Sequence, residues 1–209
     1  MKNIYVLLIF LIHIFEVKAQ APSIQWQKTL GGSSAEFASS IVQTSDGGYI
    51  VAGNAKSSDG DVTTNLGGGY GDVWIVKLSA IGTIQWQKSL GGSGNDGATS
   101  IVKTSDGGYI IAGYTQSTDG DVTGLHSINN NDYWVVKLSN IGTIQWQKTL
   151  GGSSLDVAYS IIETSDGGYA IAGKTLSNDG DVTGNHGGYD FWIVKLSISG
   201  NIQWQKTFG

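Results

Sequence analysis

The amino-acid sequence predicts an all-β fold: a β-propeller-type repeat of three four-stranded antiparallel blades, preceded by one extra N-terminal outer strand. Composition is the first reason, because 32 glycines, one proline and seven tryptophans, with many β-branched runs, are typical of a turn-rich β-protein. The second reason is internal repetition. The motif IQWQK begins at Ile24, Ile84, Ile144 and Ile202, and TSDGGY follows each of its first three copies. Self-similarity at about 60 residues predicts a repeat architecture.

Each repeat contains four strand signals joined by tight turns. In the first repeat, a strand at 39–43 leads into Ser-Asp-Gly-Gly, whose glycines accept positive φ, and the chain returns as a strand at 49–53. A long polar loop follows. A strand at 73–78 is then turned back by Ile-Gly-Thr into a half-buried outer strand at 84–88. Two such hairpins make one propeller blade; a parallel β-helix is the main alternative, but its rungs do not reverse through tight hairpins.

These signals divide the chain into a repeat domain at 20–209. It contains a lone outer strand at 24–32 and blades at 35–90, 95–150 and 155–208. Three independent domains are disfavoured, because a unit of about 60 residues without a disulfide or a metal is marginally stable. Closed propellers need about four to eight blades, so this propeller is incomplete. The chain is either a fragment of a longer protein or a protomer that self-associates through its terminal blades.

Residues 1–19 have the pattern of a cleaved signal peptide. Lys2 supplies a positive start, residues 4–15 form an apolar run, and small residues close the segment at Ala19. The run is shorter than the roughly 20 apolar residues that a membrane helix needs. We therefore expect a protein that is secreted or held at the cell surface, with no membrane span after signal removal.

Composition also limits the partners. Without residues 1–19, ten lysines stand against sixteen acidic residues, a net charge of −6. The chain lacks arginine, the side chain that reads guanine or clamps phosphate with two hydrogen bonds, so we expect no nucleic acid partner. It also lacks cysteine, so no disulfide stabilises the fold and no thiol takes part in chemistry.

Chain direction places the loops of each blade on two sides. The tight turns share one side, whereas the loop after the second strand and the link to the next blade share the other, which we call the long-loop side. Twelve acidic residues belong to the long-loop side: Glu36, Asp59, Asp61, Asp72, Asp96, Asp119, Asp121, Asp132, Asp156, Asp179, Asp181 and Asp190. We expect this acidic side to be the interaction surface, for a glycan, an extracellular protein or calcium.

The densest acidic element is DGDVT, which occurs once in each blade. Two carboxylates separated by a glycine are oxygen ligands of the kind that calcium prefers. The same carboxylates could instead brace a tight loop by accepting hydrogen bonds from its backbone, and no loop carries the full spaced calcium-loop pattern. Both alternatives stay open. The candidate metal ligands are Asp59, Asp61, Asp119, Asp121, Asp179 and Asp181.

Other candidate ligand contacts lie where each long loop enters the third strand. They are Asp72, Asp132 and Asp190, with the nearby tyrosines Tyr70, Tyr133 and Tyr189. His126 and His186 occupy equivalent loop positions and are predicted to be solvated, because one histidine per blade cannot make a zinc site. The tryptophans recur at fixed strand positions, which favours packing within and between blades over stacking on sugar rings.

One stretch carries a family resemblance. The order SIVKTSDGGYIIAG, then DYWVVKLSNIGTIQWQKTLGG, resembles the secreted propeller-repeat proteins common in Bacteroidota, and more distantly the tryptophan-docking blades of quinoprotein dehydrogenases. The resemblance covers the chain after residue 19. It implies a scaffold that serves proteins of varied function, some of which accompany glycan-degrading enzymes. The vicinal cysteines and the arginine that a quinoprotein dehydrogenase would need are absent from the sequence.

The favoured function is that of a secreted, non-enzymatic binding or scaffold module. The acidic residues are copied from blade to blade, whereas catalysis needs one pair whose environments differ. The alternative is part of a secreted glycan-degrading enzyme, with two carboxylates of the long-loop side flanking the scissile bond. The sequence assigns no catalytic residue, and calcium is the one cofactor that it suggests.

Overall fold

The computed structural model describes residues 21–209, which fold into three four-stranded antiparallel sheets. Blade 1 contains β1 (Glu36–Gln43), β2 (Tyr49–Ala55), β3 (Asp72–Leu78) and β4 (Ile84–Leu90). Blade 2 contains β5 (Gly97–Lys103), β6 (Tyr109–Thr115), β7 (Asp132–Leu138) and β8 (Ile144–Leu150). Blade 3 contains β9 (Asp156–Glu163), β10 (Tyr169–Thr175), β11 (Asp190–Leu196) and β12 (Ile202–Phe208). The predicted all-β fold with three blades is confirmed.

The blades stack face to face in an open array. The first strands of successive blades contact each other, β1 with β5 and β5 with β9, and each blade then runs outward in sequence order. First strands therefore line the inner side of the array and fourth strands lie outermost. Within residues 21–209, no helix is long and apolar enough to cross a membrane.

The Ser-Asp-Gly-Gly turns close the first hairpin of each blade. In blade 1 the Thr44 N–H donates to the Gly48 carbonyl at 2.9 Å, and the Thr44 hydroxyl donates to the Asp46 carboxylate at 2.5 Å. Gly47 has a φ of +78°, a conformation that residues with a Cβ rarely adopt. Both contacts recur in blades 2 and 3 at Thr104 and Thr164, so the repeated motif gives the same turn each time.

A lysine near the end of each third strand joins the two hairpins of its blade. In blade 2, Lys137 is 3% exposed, and its Nζ lies 2.8 Å from Asp106 and 3.1 Å from Gln145. Partial burial of Asp106 opposes its ionisation, but hydrogen bonds from Lys137 and Thr104 lower the pKa of Asp106 to about 2. Asp106 in the tight turn is therefore ionised and forms an ion pair with Lys137.

The core lies between the blades. Successive strand residues point to opposite faces, so the middle blade has one apolar face for each neighbour. Ile75 of blade 1 is buried in one cluster with Ile101 and Trp134 of blade 2. On the other face, Val135 of blade 2 is buried with Ile161 of blade 3. Blade 2 is therefore covered on both faces, and blades 1 and 3 on one each.

The lone outer strand predicted at 24–32 is not formed, because residues 21–35 contain no strand. An outer strand exists through its hydrogen bonds to the third strand of its own blade, as β4 does through β3. Within residues 21–209 no third strand is paired with 24–32, so the motif that forms β4, β8 and β12 stays unpaired here. The predicted signal peptide at 1–19 lies outside the described residues.

Candidate functional site: blade linkers and open blade faces

Each DGDVT loop folds over the linker that enters its own blade. In blade 2, Asp119 Oδ1 accepts the Ser93 N–H at 2.7 Å and Asp121 Oδ2 accepts the Gly91 N–H at 3.3 Å. The Asp121 N–H donates in return to the Gly91 carbonyl at 2.8 Å. The hydrogen bond from Ser93 lowers the pKa of Asp119 and keeps it ionised. The same carboxylate contacts recur at Asp59, Asp61, Asp179 and Asp181.

These contacts give the DGDVT loops a structural role as braces. The glycine between the two carboxylates is needed, because Gly120 has a φ of +65° and a Cβ there would collide with the Gly91 carbonyl. Across residues 21–209, no group of three or more histidine and acidic side chains is arranged so that it could hold a metal ion. Calcium binding by these loops stays a prediction.

The aspartates that begin the third strands, predicted as ligand contacts, are buried. Asp72, Asp132 and Asp190 are 1%, 0% and 2% exposed. Each accepts a main-chain N–H from its own long loop, donated by Leu66, His126 and His186 respectively. The long loop folds back over these carboxylates, so they fix its conformation and do not face solvent.

Two of these aspartates belong to carboxylate pairs at the junctions between blades. Asp72 lies beside Asp96, and Asp132 lies beside Asp156, around the glycines that begin the next linker. The Oδ1 atoms of Asp72, Asp132 and Asp156 have no hydrogen-bond partner among the described residues. Burial, together with the charge of Asp96, raises the pKa of Asp72 to about 6. Burial likewise raises the pKa of Asp132 and of Asp156, so each junction binds a proton more tightly than a solvated carboxylate does.

Both histidines are exposed in their loops, as predicted, and each also lies beside an aspartate. His126 Nδ1 lies 2.6 Å from Asp132, and His126 Nε2 lies 3.5 Å from Asp181 of the next blade. His186 Nδ1 lies 2.9 Å from Asp190. The loop brings together residues that are four to six positions apart, a proximity that periodicity alone does not reveal.

The three tyrosines near the long loops differ in exposure. Tyr133 is fully buried and its hydroxyl donates to the Trp192 carbonyl at 3.0 Å, which corrects its prediction as a ligand contact. It lies inside β7 on the face that blade 3 covers. Tyr70 and Tyr189 lie in the loops and are 63% and 57% exposed. The Lys174 ammonium lies 4.4 Å from the centre of the Tyr189 ring, within cation–π distance.

The face of blade 3 that points away from blade 2 is an exposed apolar surface. This open face of blade 3 consists of Ala170, Ala172, Phe191 and Ile193. The equivalent residues of blade 2 are Ile110, Ala112, Tyr133 and Val135, and all of them are buried against blade 3. Phe191 is 73% exposed, whereas Tyr133 at the same strand position is 0% exposed. The sequence therefore builds an interface here that no described residue fills.

The face of blade 1 that points away from blade 2 is the second such surface. This open face of blade 1 consists of Ala38, Ile41 and Val51, which are exposed or partly exposed, and of Trp74 and Val76, which are buried. Ile41 is 60% exposed, whereas Ile101 and Ile161 at the same position are each 2% exposed because they pack against the preceding blade. A groove of about 590 Å³ runs along this face. It lies where a preceding blade would place its apolar residues.

Residues 24–30 cover the outer end of the open face of blade 1. The Trp26 ring lies 5.7 Å from the Tyr49 ring and against Gly82. Trp146 of the outer strand β8 lies in the same way on blade 3, 5.8 Å from Tyr169 and against Gly200. The segment therefore lies where the outer strand of a preceding blade would lie. It leaves the rest of the open face of blade 1 uncovered.

Sequence reasoning predicted exposed terminal blades but did not identify these open faces. The sequence contains a signal for them, because these apolar residues occupy the same repeat positions as buried residues of neighbouring blades. Deciding which side of each blade meets a neighbour requires the stacking direction, which only the folded array supplies.

Comparisons with known proteins found one similar curated protein and similar solved structures. No family model matches the sequence. The chain is similar to the regulatory protein FlaEY of Caulobacter vibrioides, with 26% identity over an alignment of 194 residues that covers 88% of this chain. It spans about a fifth of that relative's length, since the match covers 20% of it.

A solved structure of a Bacteroides caccae protein of unknown function also aligns with this chain. The alignment covers 84% of this chain and 83% of the other, with 14% sequence identity and a TM-score of 0.26. A score at this level does not establish a shared fold. The architecture therefore rests on the twelve strands and their pairing.

Proposed function

We propose that this protein is an exported, non-enzymatic β-propeller-type repeat module that serves as a scaffold and docks blade-like protein surfaces through its two open faces. The observation that carries the proposal is the contrast in exposure at equivalent positions. Phe191 and Ile41 are 73% and 60% exposed, but their counterparts inside the array are at most 2% exposed. Apolar side chains that recur at an interface position are expected to be buried in the working assembly.

The arrangement of the acidic residues supports a non-enzymatic role. The carboxylates of Asp59, Asp119 and Asp179 hold linker N–H groups, and they do so identically in each blade. Catalysis by a carboxylate pair needs two groups in different environments beside one substrate bond. Pure protein is expected to leave a panel of polysaccharides intact, and hydrolysis of any of them would contradict this part of the proposal.

Export is supported by the pattern of residues 1–19 alone.

Blade docking can be tested by adding a fourth blade within the same chain. A second copy of residues 92–150, appended after Gly209, would continue the repeat and place its own Ile101 over Phe191. Burial of a phenylalanine side chain contributes about 2 kcal/mol, so we expect the unfolding midpoint to rise by several degrees. The readout is thermal unfolding of the original and the extended chains.

The control is Phe191→Asp in both chains. The substitution should be nearly neutral in the original chain, where Phe191 is 73% exposed, and should remove most of the gain in the extended chain. An extended chain that is no more stable than the original would show that the open face is not a docking surface for a blade.

A further inference from the structure

We propose that the protein associates with a second copy of itself, head to tail, by packing the open face of blade 3 of one copy onto the open face of blade 1 of the other. This inference rests on the proposed docking function and adds the identity of the partner. The contact is heterologous, because different surfaces meet, so it closes into a ring or continues as a chain of copies.

The chain already contains two examples of this interface. The junctions between blades 1 and 2 and between blades 2 and 3 join the same two kinds of face. In the second junction, Tyr133 projects from blade 2 into blade 3 and is fully buried. Phe191 has the same ring at the same strand position, without the hydroxyl group. It is therefore of the right size to fill the groove on blade 1 in the partner copy.

Polar groups on the open faces match as well. At the internal junctions, the N–H of Ile101 donates to Ser40 Oγ at 3.2 Å, and the N–H of Ile161 donates to Ser100 Oγ at 3.4 Å. Ser160 is the equivalent serine of blade 3, and it lies unopposed on that blade's exposed side. In the head-to-tail contact it accepts the N–H of Ile41 from the second copy, which reproduces the internal pattern.

A further pair sets the register on the side of the tight turns. Lys103 Nζ donates to Ser45 of the preceding blade at 2.5 Å, and the Ser105 hydroxyl donates to Glu163 of the following blade at 2.8 Å. The equivalent residues at the head-to-tail contact are Ser165 of one copy and Gln43 of the other. A serine and a glutamine can hydrogen-bond to each other, and no charges of like sign are brought together.

The segment at 24–30 competes with this contact. A second copy arrives with its own outer strand β12, whose Trp204 is the equivalent of Trp26, so both indoles require the place over Gly82. Strand β12 is held to β11 by a hydrogen-bond ladder, whereas 24–30 is not part of any strand. Displacing 24–30 therefore breaks fewer hydrogen bonds, and the segment acts as a removable cap on the docking face.

The first experiment compares the chain that begins at residue 20 with one that begins at residue 31, which lacks the cap. Sedimentation equilibrium gives the dissociation constant of each. We expect self-association to strengthen by at least about tenfold when the cap is removed. Phe191→Asp should abolish association of the uncapped chain, and Phe191→Tyr should preserve it. An uncapped chain that stays folded and monomeric at high concentration would overturn the inference.

The second experiment tests which faces meet. The chain has no native cysteine, so Ile41→Cys and Ser160→Cys can be introduced separately and the two variants mixed. A short bismaleimide should link the mixture into mixed dimers, whereas Ser160→Cys alone should give little dimer. Equal cross-linking of both samples would contradict the head-to-tail contact. If the covalently extended chain is stabilised but separate copies never associate, blade docking holds and the partner is a different protein.

Discussion

At the scale of single residues, equivalent aspartates differ because their neighbours differ. Asp72 is buried beside Asp96 and its pKa is raised to about 6. Asp190 begins the third strand of blade 3 in the same way, but among residues 21–209 it has no acidic partner from a further blade. Hydrogen bonds from His186 lower the pKa of Asp190. The residue type and its repeat position are the same, and the next blade decides the sign of the shift.

Asp72→Asn is expected to stabilise the protein at pH 7. Because the pKa of Asp72 is higher in the folded than in the unfolded state, its contribution to stability is complete below about pH 4 and is lost as the pH rises toward about 6. Removing this charge should increase the free energy of unfolding at pH 7 by about 1–2 kcal/mol, with allowance for the solvent-exposed loops around the site. Urea unfolding at pH 4, 5, 6 and 7 measures the change.

The matched control is Asp190→Asn. Its folded-state pKa is lowered, so this substitution should remove stability that is present above about pH 4, the opposite direction from Asp72→Asn. The same sign of effect for both variants at pH 7 would contradict the assignment of the raised pKa to the junction.

Asp119→Ala is expected to lower the free energy of unfolding, because it removes the acceptor for the Ser93 N–H. Asp119→Asn keeps a side-chain oxygen and should retain most of the stability. Calcium and a chelator should both leave the thermal midpoint unchanged if the loop is only a brace. A midpoint that rises with calcium, and that loses this response in Asp119→Asn, would establish the metal site instead.

At the scale of elements, the turn between the third and fourth strands of one blade packs against a tryptophan of the preceding blade. Gly142 has a φ of +77°, and a Cβ there would lie 2.9 Å from the Trp86 ring. Gly82 and Gly200 stand in the same relation to Trp26 and Trp146. The glycine is required both by the turn and by the close approach of the indole.

Gly142→Ala is therefore expected to cost more than the same change in a turn without a docked ring. Gly107 has a φ of +84° and open space around its Cβ position, so Gly107→Ala measures the backbone strain alone, about 1 kcal/mol. Gly142→Ala adds a clash with Trp86 and should cost about 1–3 kcal/mol more. Chemical denaturation of both variants decides the question, and equal losses would mean that the indole moves aside freely.

At the scale of the whole molecule, the three blades of residues 21–209 form a one-dimensional stack, in which blade 2 has a neighbouring blade on each face. Stability in such stacks is the sum of unit and interface contributions. Blade 2 is buried on both faces by the clusters that it shares with blades 1 and 3. Blade 3 ends in β12, where Trp204 is 48% exposed and Phe208 is 53% exposed.

Hydrogen exchange should be slowest in the blade that is buried on both faces. We expect the amides of β6 and β7 to exchange most slowly and those of β12 to exchange first, because local opening is easiest where few apolar contacts are lost. Mass spectrometry of peptides from the three blades measures the difference. Uniform protection in dilute solution would contradict the stack, whereas protection of β12 that grows with protein concentration is expected if copies associate.

The sequence by itself determined the blades, their hairpins and their order. Ser-Asp-Gly-Gly, Ile-Gly-Thr and the alternation of apolar residues act over a few positions, so they produce the same local structure in each copy. The tryptophans of the third strands recur at one strand position, so the sequence predicted them as core residues. Trp74, Trp134 and Trp192 are buried.

Only the tertiary structure decided what depends on the neighbouring blade. IQWQK is a strand at β4, β8 and β12 but unpaired at 24–30, since there it lacks a third strand to bond with. Tyr133 is buried because blade 3 covers its face, whereas Phe191 is exposed because no blade among the described residues covers its face. Carboxylates that periodicity placed on one acidic side became braces of the linker that enters their own blade, or pairs at the junction with the next blade. Contacts between repeats are set by what lies next in space, and similar repeat sequences do not show which neighbour each blade meets.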